Sequence, residues 1–265
     1  MITRRQFLVG SLAFGGLATS AFGKKINLAS MPISEGYGAL VADPQKLLDL
    51  PKGFSYKVIS SLGNSMSDGM HVPDRADGMG CLPVEGSSDK VALIRNHELH
   101  PKHLSAQPQS IQMHTSELAY DNYHSGVALP GGTTTMVYNL TTKMVEREFI
   151  SLVGTVRNCS GGITPWGTWL TCEESVDRPH GPNGDLVNKD HGYIFEVPAN
   201  ADSLIEAKPL KAMGRFNHEA ACVDPKTRIV YLTVAQGHIL LYRFVCNNGV
   251  YFTAVRPIVA LVVKI

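Results

Sequence analysis

From residue 60 onward the sequence carries no amphipathic helical repeat longer than about ten residues. It carries a succession of short β-prone runs instead, punctuated by Gly, Pro, Asn and Asp. The pattern predicts strands over 90–95, 133–140, 146–152, 168–172, 192–197, 220–223, 229–234 and 239–245. A chain built this way cannot supply the crossover helices of a parallel sheet, so the expected class is an all-β array. The 25 Gly and 15 Pro, with only 18% charged residues, suit short strands and many turns. One stretch, 97–130, lacks strand character and holds His100, His103, His114 and His124. A connection of that length is usually functional or mobile.

The N-terminal part reads differently. Residues 1–23 have the form of an export signal: Arg4-Arg5 followed by an uncharged, Gly/Ala-rich run from Leu8 to Phe22. The twin arginines imply an export machinery that carries folded proteins, and hence a periplasmic or extracellular location. The run is too short and too rich in glycine for a stable membrane span once the signal is removed. Residues 24–52 read as a linker with a short helix, Asp43 as its N-cap and Pro44 at its first position. Phe54, Tyr56 and Val58 alternate as in a strand over 53–59. Residues 53–265 form the β domain in this reading.

With 24 Lys and Arg against 23 Asp and Glu, nucleic acid is not an expected partner. Five cysteines exclude a fully paired disulfide framework, although a single disulfide stays open. Cys81, Cys222 and Cys246 sit in apolar surroundings and read as inert core residues.

Residues 157–174, RNCSGGITPWGTWLTCEE, concentrate chemistry in a short span. Ser160-Gly161-Gly162 and Thr164-Pro165 read as turns, so Cys159 is expected on a loop that leads into the strand ending at Glu173-Glu174. A cysteine-phosphatase loop is excluded, because the sixth residue after Cys159 is Pro165 and not Arg. Cys159 and Cys172 lack the spacing of a zinc knuckle, and the chain has no G-x-S-x-G elbow, H-E-x-x-H pair or P-loop. What remains is a set of oxygen donors with one thiolate: Asp77, Asn96, Glu98, Cys159, Glu173, Glu174 and Glu219. Such donors suit calcium, and a thiolate with carboxylates can hold iron. His97 and His218 are either further ligands or partners of backbone groups. Asn96-His97-Glu98 and Asn217-His218-Glu219 echo one another, about sixty residues either side of Cys159. In a radial β architecture such equally spaced groups can converge on one axis.

Several segments together resemble the PhoX family of alkaline phosphatases. They are Pro73–Met79, Ile94–Glu98, Gly131–Thr134, Asn158–Glu174, His191–Tyr193, Gly214–Glu219 and Ile229–Thr233. The resemblance implies a six-bladed β-propeller of which this chain covers a part, and export by the twin-arginine route. It implies hydrolysis of small phosphate monoesters with iron (Fe3+) and calcium. Cys159 and Glu219 would be iron ligands, with Asn96 and Glu98 in the same cluster and Glu98 bridging or binding calcium. Glu173 and Glu174 would lie on the calcium side or just behind the ligands, supporting them.

The chain departs from the family pattern in two places. Val234-Ala235 stands where an acidic pair is usual, and Arg256-Pro257-Ile258 lacks the carboxylate of a later Arg-Pro-Glu motif. A truncated family member with impaired folding or activity is therefore expected. A non-catalytic, calcium-binding propeller fragment and a calcium-dependent hydrolase of another ester are the alternatives.

Overall fold

The computed structural model describes residues 36–106, 117–234, 240–245 and 259–261. They belong to two compact units, one ending at Val58 and the other beginning at Ile59. The expected export signal and Cys246 lie outside the described residues. No helix among the described residues is long and apolar enough to cross a membrane.

In the first unit, β1 (Leu40–Val41) pairs antiparallel with β2 (Leu50–Pro51). The helix expected between them does not form. Asp43 does accept from the backbone N–H groups of Gln45, Leu47 and Leu48, as an N-cap would. However, Lys46 turns to φ 56°, which ends right-handed winding within the first turn. The Tyr56 hydroxyl also donates to Asp43, at 2.6 Å, and closes this segment as a turn. No strand forms over 53–59; Phe54 and Val58 are exposed.

Among its described residues, the second unit holds three antiparallel sheets in chain order. The first is β3 (Ala76–Pro83), β4 (Lys90–His97), β5 (Gly131–Asn139) and β6 (Met144–Thr155). The second is β7 (Asn158–Ile163), β8 (Thr168–Glu173) and β9 (Ile194–Pro198). The third is β10 (Ala221–Val223), β11 (Val230–Val234), β12 (Leu240–Phe244) and β13 (Val259–Leu261). Each strand pairs with its sequence neighbour, the up-and-down order of propeller blades. The long connection after β4 contains no strand among its described residues, only a 3-10 helix at Pro101–Ala106.

The sheets pack face to face, and the middle one is buried on both sides. Along β8, Trp169 joins Leu82, Ile94, Phe195 and Val197 in a core shared with the first sheet. Its neighbour Leu170 joins Ile194, Val223, Val230 and Phe244 in a core shared with the third. This is the two-residue alternation of a strand, with an apolar surface waiting on each face. Each fully buried side chain of this size contributes about 1.5–3 kcal/mol.

Two strands depart from the sequence reading. Asp77-Gly78-Met79, for which no strand is expected, lies in β3, and Cys159, placed on a loop, lies in β7. The glycines that suggested turns serve close approach instead. A Cβ on Gly162 would sit 1.9 Å from the Ala221 carbonyl oxygen, so β7 meets β10 backbone to backbone only without a side chain there. The turn of the β7–β8 hairpin falls later, at Thr164–Gly167.

Candidate metal centre

The first two sheets end in the same local frame. Arg75 precedes β3 and Arg157 precedes β7, each with φ 53°. The residue after the paired strand, Glu98 after β4 and Glu174 after β8, donates its N–H to that arginine's carbonyl at 2.8 and 2.9 Å. Ala76 pairs with His97, and Asn158 with Glu173. Each inner strand then inserts one extra residue, between Ala76 and Met79 in β3 and between Asn158 and Gly161 in β7. A bulge re-aims the side chains it carries. Asp77 and Cys159 stand at matching places in the two bulges. Glu219 comes from the third sheet, just before β10, and its N–H donates to Thr233.

Ligand atoms of Cys159, Glu174 and Glu219 lie within 4.8 Å of one another. Glu98 is tied to the same place by Arg157, which donates to its Oε1 from Nε at 3.0 Å and from Nη2 at 2.6 Å. Nη2 also donates to Glu174 Oε2, and Nη1 to the Glu174 carbonyl. Four of the five guanidinium N–H groups are thereby directed at Glu98 and Glu174.

The electrostatics are those of anions crowded together. Burial, and then Glu174, Asp77 and Glu98, push the Glu219 carboxyl above its ordinary range, with Arg157 opposing. Burial raises Glu174, which Arg157 works against and Glu98 and Asp77 reinforce. Desolvation, then Glu98, raises Asp77. Burial, and then Glu219, hold the Cys159 thiol well above the usual range. That thiol donates to the carbonyls of His218 and Glu219 at 3.3 and 3.4 Å. A bound cation would reverse each of these shifts, and a soft sulfur beside carboxylates is a donor set for a transition metal.

Four residues read as possible ligands are engaged elsewhere. Asn96 is fully buried, donates to the Ser160 carbonyl at 2.8 Å and accepts from Trp169 Nε1 at 2.9 Å, so both ends of its amide tie β4 to the middle sheet. His97 places its ring nitrogens on the Asp74 carbonyl and the Thr134 hydroxyl. Burial, and then Arg95, drop its pKa to about 3. His218 sets Nε2 on the Gly214 carbonyl, and its ring lies against Phe216, 3.7 Å between centroids. Glu173 points away from the cluster into the protein, where it accepts from the N–H groups of Val156, Gly192 and Tyr193.

Other features depart from or extend the sequence reading. Cys81 and Cys222 are exposed, not core, because both lie on strand faces turned to solvent; with Cys159 and Cys172 they are free thiols. Sequence reasoning passed over Arg157, whose position two residues before Cys159 was its only signal. It also gave no role to His191, named only within a matching segment, which bonds Glu173 Oε1 at 2.7 Å and Asp121 Oδ2 at 3.1 Å from full burial. Burial works against protonation of His191, but Glu173 and Asp121 outweigh it and lift the pKa to about 9.

The model of the family "Alkaline phosphatase PhoX" matches residues 35–144 and 131–254. Among solved structures, the chain is similar to Pseudomonas fluorescens PhoX in complex with vanadate, a transition state analogue. The identity is 17% and the TM-score 0.51, over 77% of this chain and 49% of that one. The chain thus spans about half the length of that relative. No curated protein matches. The two stretches of the family model run from the linker before β1 to beyond β12, and the structural likeness carries the same all-β fold; the chain belongs to the PhoX family of alkaline phosphatases.

Proposed function

We propose that this chain binds metal ions at Cys159, Glu174 and Glu219 and hydrolyses small phosphate monoesters there. The observation that carries the reading is the convergence of one thiol and two carboxylates from two sheets within 4.8 Å, in a member of this family. Asp77 and Glu98 border the cluster and would complete the ligand set. Iron with calcium is the pairing that the resemblance to the family implies, and this mixture of soft and hard donors is compatible with it. The vanadate held by the Pseudomonas relative, a transition state analogue, supports phosphoryl chemistry. When bound, the cations would supply Lewis acidity toward phosphoryl oxygens and lower the pKa of a bound water.

The chain's own residues do the positioning. Arg157 pairs with both Glu98 and Glu174 and neutralises them in the metal-free chain, so carboxylates of two sheets can gather at one point. Cys159, 4% exposed, is shielded from bulk water and oxidant. Its thiol proton, resting on main-chain carbonyls, is the one a metal would displace. Glu219 brings the third sheet into the same centre, so the site exists only while adjoining sheets stay packed.

Metal analysis of the purified chain, combined with assays on p-nitrophenyl phosphate and on carboxylic esters, tests the reading. Bound iron and calcium with phosphatase turnover are expected. Metal without turnover would leave a non-catalytic binding fragment, and turnover of carboxylic esters alone would replace the reaction assigned. Export to the periplasm belongs to the same proposal, through Arg4-Arg5. Replacement of both arginines by lysine is expected to leave the protein in the cytoplasmic fraction.

A further inference from the structure

Behind the cluster lies a second, fully buried polar assembly that the proposed reaction does not use. His191 sits between Glu173 and Asp121, and all three side chains are essentially without solvent contact. Asp121 also accepts from the N–H groups of Asn122, Asn188 and Lys189. Glu173 accepts from Val156 and from both Gly192 and Tyr193. The Tyr120 ring meets the imidazole edge to face, centroids 5.3 Å apart. The assembly thus joins the end of β8 to two connections, one before β5 and one before β9.

Its geometry is directed at the metal centre. The residue after Glu173 is Glu174. One of the N–H groups that the Glu173 carboxylate receives belongs to Val156, the residue before Arg157, and Cys159 follows two places on. The Glu173 carbonyl accepts the N–H of His218 at 2.9 Å, and Glu219 is the next residue. One buried residue therefore touches the chain next to Arg157, next to Glu174 and next to Glu219. The carboxylate secures the first of these and the main chain the other two, so the placing of Glu173 bears on all three, and His191 is the side chain bonded to that carboxylate.

We propose that His191, clamped between Glu173 and Asp121, is a positioning residue for the metal centre, setting the separation of Cys159, Glu174 and Glu219 through Glu173. The proposal rests on the metal-binding reading above. It also explains why Glu173, beside a ligand in sequence, is not one: consecutive strand residues point to opposite faces, so Glu174 reaches the cluster and Glu173 its support. Loss of an outer partner of this kind typically weakens metal affinity about 10–100-fold.

The test uses the full chain, stripped by chelator and titrated with Co2+, whose absorption gains a thiolate-to-metal band when a cysteine sulfur binds. The unmodified chain is expected to show the band. His191→Gln is expected to bind roughly 10–100-fold more weakly, with the band reduced or shifted. Asp121→Asn, which leaves the Glu173–His191 bond in place, is expected to fall between the two, and it decides the question if His191→Gln does not fold. Leu82→Ala, in the core between the first two sheets, is the control: it lowers the melting temperature and leaves affinity and band unchanged. Wild-type affinity and band in His191→Gln, or in Asp121→Asn where only that variant folds, would overturn the positioning role. Equal weakening in Leu82→Ala would do the same. Absence of the band from the unmodified chain would defeat the metal reading itself.

Discussion

The frame at the end of the first sheet and the frame at the end of the second share their backbone and differ in their contents. Each begins with an arginine at φ 53° whose carbonyl receives the N–H of a glutamate, and each has a bulge at the same register. In the first frame the bulge presents Asp77, which is exposed; in the second it presents Cys159, which is buried between sheets. The residue before the glutamate is His97 in one and Glu173 in the other, both buried. The backbone thus decides which side chains converge. Packing of the next sheet decides whether a converging group is a screened carboxylate or a desolvated thiol. The comparison can be broken at four levels, taken from the largest expected effect downward.

The largest effect concerns how each inner strand meets the next sheet. Gly80 and Gly162 occupy matching places, but a Cβ on Gly162 would meet the Ala221 carbonyl at 1.9 Å, and one on Gly80 would meet the Trp169 ring at 2.6 Å. Backbone cannot step aside as a side chain can. Gly162→Ala is expected to lower stability by about 3 kcal/mol or more, and Gly80→Ala by about 1–2 kcal/mol. Denaturant unfolding checks both. Equal losses would mean that the Trp169 ring is as fixed as the β10 backbone.

Metal content separates the contents of the two bulges. Cys159→Ser is expected to weaken binding by roughly 100-fold or more, since it replaces the only sulfur of the cluster. Asp77→Asn, at the exposed place, is expected to cost about tenfold. Mass-spectrometric metal analysis after dialysis gives the ratio. A larger loss from Asp77→Asn would make the first frame, not the second, the heart of the site.

How much of this the sequence could show follows from the same two frames. Strands such as β4, β8 and β11 announced themselves, because short apolar and β-branched runs bounded by turn residues survive in the sequence whether one face or both are buried. The strands β3 and β7 did not, since their glycines mark close approach and read as turns. Cys159, Glu174 and Glu219 could be nominated by residue type, because few side chains bind metal. Glu173 was indistinguishable from Glu174 by type, and only the pairing of β8 with β7 shows which faces inward. The roles of Arg157 and His191 depend on groups 59 and 70 positions away, which no local pattern records.

The third level is pH, and it compares His97 with the His191 that supports Glu173. His97 has its folded pKa lowered to about 3 from an ordinary 6.5, by burial and then by Arg95. Its contribution is complete above about 6.5 and is lost as pH falls from there toward 3. His218, lowered to about 4 by burial, acts in the same direction. The folded pKa of His191 is raised to about 9, so its contribution is complete below about 6.5 and is lost as pH rises through 9. The melting temperature is therefore expected to decline on both sides of neutrality. His97→Gln should flatten part of the acid limb and His191→Gln most of the alkaline one. An alkaline limb unchanged in His191→Gln would remove the charge assigned to that ring.

The smallest effect separates the two arginines. Arg157 reaches Glu98 and Glu174, whereas Arg75, at the same backbone position, is exposed. The Arg157 side chain is 38% exposed, so solvent screening limits what the pairs contribute. In the metal-free protein, Arg157→Gln is expected to lower stability by about 1 kcal/mol at low salt and less at high salt. Arg75→Gln should stay within about 0.5 kcal/mol at either. Metal should invert the first result, because cations bound to Glu98 and Glu174 take over the neutralisation that Arg157 performs in their absence. Arg157→Gln is then expected to gain more melting temperature on metal addition than the unmodified chain. If it gains less, the guanidinium is needed to hold the carboxylates in ligand geometry when metal is bound.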